Sequence, residues 1–220
     1  MVRLDIISDP ICPWCYIGKA NLDKALEANP DHPFTIEWHP FQLNPDMPEG
    51  GMDRREYLET KFGGKEGALT AYAPVVEAAE AAGLEINLDL IKTTPSTINA
   101  HRLIHWAGLE GKQTPVVSAL FGAYFVDGRD ISDIDVLADI ADGVGMDAAV
   151  VRRLLEGDQD IEDIRERDAH SRKMGVSGVP CFIVAQQHAV PGAQPPETWA
   201  KVISEINEQL TAEAEASTKN

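Results

Sequence analysis

The chain has 220 residues, 44% of them hydrophobic, which suits one domain or one domain carrying a large insertion. Its 36 acidic residues outweigh 19 basic ones, giving a net charge of −17 that argues against nucleic acid and anionic membrane surfaces as partners and favours solubility as its use. Three cysteines are too few for a disulfide framework, no apolar run approaches transmembrane length, and Met1 runs straight into a strand rather than a signal peptide, so a cytoplasmic location is expected.

Val2 to Ile7 alternates apolar and charged residues and reads as a strand, and Pro13 to Ala28 carries one apolar face and reads as a helix. Between them lies Asp9-Pro10-Ile11-Cys12-Pro13-Trp14-Cys15-Tyr16. Phe34, Ile36, Trp38 and Pro40 alternate with polar residues as a second strand, which completes a βαβ unit with parallel strands. Gln42 to Gly51 reads as a loop. From Asp53 to Met174 the pattern is helical, with capping side chains at the starts and glycines at the stops. The expected caps are Asp53, Ser96, Ser132 with Asp135, and Asp147; Pro74 is expected to kink or divide its helix. Cys181 to Val184 and His188 to Val190 then form an antiparallel pair of strands around Gln186-Gln187. A last helix opens at Pro195-Pro196 with Trp199, Val202, Ile203, Ile206 and Leu210 in one stripe. The end of the chain is small, polar and charged, and is expected to fray.

The chemistry of this order lies in Cys12 and Cys15. The first turn of a helix has unpaired N–H groups and the positive end of the macrodipole, so a thiol there ionises more easily. Pro13 costs no helical hydrogen bond in that place. Cys12 is therefore expected to be the accessible attacking thiol, with Cys15 buried behind it as the resolving thiol. Half of a zinc site and a pair of inert core thiols are the competing readings; the first needs ligands that Cys181 alone does not supply. His101 and His105 have a metal-like spacing, but no third ligand is placed with them, so they read as surface or core histidines.

The order βαβ, helices, ββα is the thioredoxin layout with a helical insertion. The stretches Ser8-Asp9, Cys12 to Lys19, Pro40 to Pro45, Asn99 to Leu103, Leu120 to Phe125, Gly175 to Pro180 and Gly192 to Gln194 resemble the DsbA-like oxidoreductases, specifically the FrnE type. The resemblance implies an α/β thioredoxin-like domain at 1–45 and 175–212, a helical domain at 46–174 and a flexible tail at 213–220. It also implies a cis Pro180 facing the cysteines, with the Val179 backbone, Pro13 and Trp14 touching substrate. Relatives often bury an acid six residues before the first cysteine, where Ile6 stands here; Glu37 is a weak candidate for that work. Cys181 is expected to be a small core residue, with a third sulfur near the pair as the sharper alternative.

The implied activity is protein disulfide exchange through Cys12–Cys15, with protein or small thiol and disulfide substrates and no bound cofactor or metal. The alternative is a glutathione-dependent small-molecule isomerase or transferase, as in 2-hydroxychromene-2-carboxylate isomerases and kappa-class glutathione transferases. Those usually carry serine where Cys12 stands, so retention of both cysteines favours the first class. Glutathione is a candidate co-substrate, and a homodimer is a candidate assembly. The insertion is expected to sit as a lid over the Cys12 side of the sheet.

Overall fold

A computed structural model of the chain describes residues 1–217. Strand β1 (Val2–Ser8), helix α1 (Pro13–Ala28) and strand β2 (Phe34–Pro40) follow the expected order. A short strand β3 (Met52–Asp53) then precedes α2 (Arg54–Phe62) and α3 (Lys65–Ala81), and β4 (Thr93–Thr94) pairs back onto β3 as an antiparallel ribbon. The insertion continues with α4 (Ile98–Leu109), α5 (Gln113–Phe121), a π-helical turn at Gly122–Val126, α6 (Ile134–Gly143), α7 (Ala148–Leu155) and α8 (Ile161–Lys173). Strands β5 (Cys181–Val184) and β6 (His188–Pro191) and helix α9 (Pro196–Ser217) close the fold. Helix α9 runs through most of the segment assigned to the tail; residues 218–220 lie outside the described residues.

The main sheet has the order β2-β1-β5-β6. β1 pairs in parallel with β2 from Val2 opposite Phe34 to Ser8 opposite Pro40, and antiparallel with β5 from Leu4 opposite Val184 to Ile7 opposite Cys181. This is the α/β thioredoxin-like architecture with an inserted helical subdomain. Because side chains alternate along a strand, β1 sends Leu4 and Ile6 to one face and Ile7 to the other. The first face joins Phe182, Trp199, Leu22 and Ala25 to Leu103, Leu120, Phe121 and Phe125 of the insertion in one continuous core. The second face holds a smaller cluster of Ile7, Phe41 and Cys181.

The insertion is fastened to the β2 edge. The Gln113 carboxamide accepts from the Trp38 N–H at 3.0 Å and donates to the Trp38 carbonyl at 3.2 Å, as a neighbouring strand would. The Trp38 indole donates to Thr114 Oγ1 at 2.9 Å. The helix starts correct the sequence reading at two places. Thr97, not Ser96, is the N-cap of α4, and Asp133, not Ser132, caps α6 by accepting from the Asp135 N–H. Ser132 instead turns its hydroxyl to Asp130, because the chain there makes a local turn before the helix opens. Asp53 and Asp147 cap as expected, and Pro74 lies inside an unbroken α3 on its exposed side.

Candidate functional site

β1 ends at Ser8, and the chain turns through Asp9 to Cys12, whose N–H donates to the Asp9 carbonyl at 2.9 Å. Cys12 is the N-cap of α1, with an extended backbone (φ −85°, ψ 114°), and its side chain makes no cap hydrogen bond. Its carbonyl accepts from Cys15 N and Tyr16 N, so the helix begins directly behind the first sulfur. The Val179–Pro180 peptide bond is cis, and the Cys12 thiol donates to the Val179 carbonyl at 3.6 Å. Gly18 permits this approach: a Cβ there would lie 3.0 Å from the Pro180 ring and 3.4 Å from the Phe182 ring. A side chain on this turn of α1 would push the helix off the cis-proline loop.

All three cysteines are free thiols. Cys12 is only 3% exposed and Cys15 2%, which corrects the expectation of an open Cys12: the Val179 loop covers its sulfur. Trp14, between them, is 37% exposed, while Pro13 and Val179 are half-buried and Pro180 is buried. Burial holds the Cys15 thiol well above its usual range, and the hydrogen bond and charge of the Cys12 sulfur push the same way. The Ser8 hydroxyl and the Asp9 backbone N–H act against them by hydrogen-bonding the Cys15 sulfur. Next along α1, Tyr16 stacks on Phe121 and Phe125 with ring centroids 5.3 and 5.4 Å apart, tying the dithiol helix to the insertion. The inserted helices therefore stand on the Cys12 side of the sheet. Cys181 packs on the opposite face with Ile7 and Phe41, so it is a core residue there and not a third sulfur beside the pair.

The acid of this site is one the sequence reading passed over. Ile6 packs in the same core as Cys12 and Cys15, and Asp5 points to the other face, where it meets Arg3 at 2.6 Å and His39 at 2.7 Å. Glu37 is half-exposed and pairs with Arg3 at 3.1 Å, so it is no buried proton carrier. Asp9 is fully buried. Its Oδ2 accepts from Leu43 N at 2.7 Å, its Oδ1 lies 3.5 Å from Ile11 N, and the Thr97 hydroxyl also hydrogen-bonds it. Burial nonetheless outweighs these donors and pushes its carboxyl up to about 7. His101 Nε2, from α4, stands 3.7 Å from Asp9 Oδ1. In the sequence, an aspartate before a proline reads as a turn former, and the only available signal was its place three residues ahead of Cys12.

A candidate cation cluster lies elsewhere. Ligand atoms of Asp5, Glu37 and His39 approach within 4.8 Å of one another, but the Arg3 guanidinium already pairs with both acids and supplies the positive charge. The Arg167 guanidinium donates to His105 Nδ1 at 2.8 Å, and His105 does not meet His101 at a common centre.

A helix that opens on a Cys-Pro-Trp-Cys pair, set against a cis-proline loop on a four-stranded sheet, defines a thioredoxin-like fold of the disulfide-exchanging kind. The chain belongs to the DSBA-like thioredoxin domain family, whose model matches residues 3–204, and so stands among oxidoreductase- and isomerase-type enzymes. It is similar to the uncharacterized protein YwbO of Bacillus subtilis (strain 168), with 29% identity over 93% of this chain and 96% of that one. The crystal structure of SCO1869 from Streptomyces coelicolor, described as a probable DsbA oxidoreductase, is 30% identical over 93% of this chain and 89% of that one, with a TM-score of 0.83. The cytosolic disulfide reductase DsbM from Pseudomonas aeruginosa, solved with GSH, shares the fold at 18% identity over 95% of this chain and 99% of that one, with a TM-score of 0.67.

Proposed function

We propose that this protein is a cytoplasmic, FrnE-type thiol–disulfide oxidoreductase or isomerase working through Cys12 and Cys15. The observation that carries the reading is the Cys12 sulfur at the N-cap of α1, 3.6 Å from the Val179 carbonyl, with Cys15 behind it. The Cys12 thiolate attacks one sulfur of a substrate disulfide; a Cys12–substrate disulfide forms and the other substrate sulfur leaves as a thiolate. Cys15 then loses its proton and attacks the Cys12 sulfur, releasing the second substrate thiolate and closing the Cys12–Cys15 disulfide. Two electrons pass to substrate, and the reverse sequence oxidises a dithiol.

The Val179 backbone pairs with an extended substrate segment once its carbonyl gives up the Cys12 thiol, and Pro180 and Pro13 border that segment. Trp14 forms the floor of the groove, with the inserted helices as its lid. Glutathione is the small-thiol co-substrate, a choice supported by the GSH found with the fold relative DsbM. The test is insulin reduction. Wild type should precipitate the freed chains, Cys12→Ser should show essentially none, and Cys15→Ser should accumulate a trapped mixed disulfide. Undiminished reduction by Cys12→Ser would sink the reading, and glutathione-dependent isomerisation persisting in that variant would favour the isomerase class.

A further inference from the structure

His101 has two ring nitrogens and one of them is stranded. The ring is buried, and the Phe41 carbonyl accepts from one nitrogen, while Nε2 has no hydrogen-bond partner among the described residues. Asp9 Oδ1 lies 3.7 Å from it, itself without exposure to solvent. A neutral carboxylic acid donates where a carboxylate cannot. One proton on this pair would let the two draw together from 3.7 Å into a hydrogen bond, and its loss leaves a buried carboxylate facing a nitrogen lone pair.

This pair is coupled to the dithiol through the backbone. The Asp9 carbonyl accepts the Cys12 N–H, and the Asp9 N–H reaches the Cys15 sulfur. The carboxyl thus lies within one aspartate side chain of the N–H that reaches that sulfur, in a site buried from solvent, where charges act strongly.

Resting on the disulfide-exchange reading above, we propose that Asp9 and His101 share a single buried proton and that the charge on Asp9 controls when Cys15 ionises. Asp9 comes from the redox loop and His101 from inserted helix α4, so the insertion reaches into the chemistry through this contact. Both are positioning residues. An ionised Asp9 disfavours the Cys15 thiolate; a neutral Asp9, hydrogen-bonded to His101, releases it. The other groups facing the pair are accounted for. From α8, Asp168 and Arg167 act on it; Asp168 is itself held by Arg172 at 2.8 Å and by Gln42 N at 2.8 Å. From the π-helical turn, the buried Tyr124 phenol hydrogen-bonds Arg54 and the Thr93 carbonyl and stays neutral at physiological pH. Thr97 contributes a hydroxyl, and the start of α1 contributes Cys12 at its N-cap and Cys15 in its first turn.

The test uses the reduced protein and an aromatic disulfide whose thiolate product absorbs visible light, followed by stopped flow from pH 5 to 9. The first thiolate reports attack by Cys12. The second reports Cys15 losing its proton to buffer and closing the Cys12–Cys15 disulfide. Asp9→Asn keeps the shape: its oxygen can accept from Leu43 N and its amide can donate to His101 Nε2. In it, the midpoint of the second phase should fall by about one pH unit, making that phase about tenfold faster below the midpoint, with the first phase unchanged. His101→Asn keeps a donor for the Phe41 carbonyl but removes Nε2. Asp9 then loses its acceptor and ionises earlier, so the second phase should slow between pH 5 and 7. A second phase in Asp9→Asn that coincides with or lags wild type would overturn the proposal, as would equal changes in both phases. Should Asp9→Asn fail to fold, an unslowed second phase in His101→Asn overturns it alone. A wild type that releases no second thiolate would instead sink the disulfide-exchange reading itself.

Discussion

Two buried groups of opposite habit meet at Asp9 and His101, and their effects on stability have opposite signs. Asp9 rises from 3.8 to about 7 on folding, so the folded state binds the extra proton and stability is lost as pH rises from about 4 through about 7. His101 falls from 6.5 to about 4, so the folded state rejects a proton and stability is lost as pH falls across the same range. In wild type the two slopes offset, which predicts a flat denaturation free energy between pH 4.5 and 6.5. Asp9→Asn leaves the histidine slope, and stability should climb by about 2 kcal/mol over that range; His101→Asn leaves a carboxyl slope shortened by the earlier ionisation of Asp9, so stability should drop by less than that. Urea titrations at the two pH values decide it, and parallel lines for all three proteins would refute the pairing. The cysteines carry a second expectation at this scale. Because Cys15 is held protonated behind Cys12 and Cys181 lies on the far face, iodoacetamide near neutral pH should label Cys12 first, read by peptide mass spectrometry. Label on Cys15 ahead of Cys12 would reverse the roles. The dithiol pair was readable because strand, cysteine pair and helix are local in sequence. Asp9 was not, since its burial is made by Leu43, Thr97 and His101, 34 to 92 residues away, and no periodicity reports such a meeting.

Elements were legible in proportion to how local their causes are. Strands β1 and β2, helix α1 and the glycine-terminated helices follow from alternation, apolar stripes and caps. The β3–β4 ribbon did not, because two-residue strands whose ladder joins Met52 to Thr94 have no pattern of their own. Pro74 shows a local rule losing to context. It removes one hydrogen bond from α3, yet buried Val75 and Ala79 on the opposite side hold the helix against Ile17 of α1, and the turn stays intact. Pro74→Ala should restore that hydrogen bond on an exposed face and raise stability by about 1–3 kcal/mol, measured as an upward shift in melting temperature. A fall in melting temperature would overturn that account of Pro74. Arg102, on α4, is the converse case of a side chain doing the work of a cap. It is buried, and its guanidinium donates to the carbonyls of Leu154, Gly157 and Gln159 at 2.6 to 2.7 Å where α7 ends. Arg102→Ala strips these carbonyls of their charged donor and should cost about 1.5–3 kcal/mol, whereas loss of an exposed ion pair such as Arg55–Glu59 should leave stability nearly unchanged.

Across the whole molecule, the insertion and the sheet share one apolar core, from Trp199 and Phe182 through Ile6 and Cys12 to Phe121 and Leu137. Such sharing predicts a single cooperative unfolding transition, with tryptophan fluorescence and far-ultraviolet circular dichroism falling on one curve. Two separated transitions would show that the insertion folds as an independent unit. The Gln113 clasp on Trp38 reaches further still. A sheet has two edges, and the clasp occupies the one at β2 with a side chain, while β6 pairs only with β5 among the described residues. At Trp38 the glutamine side chain holds the two backbone groups an incoming strand would need, so strand addition at that point of the β2 edge has to unseat α5 first.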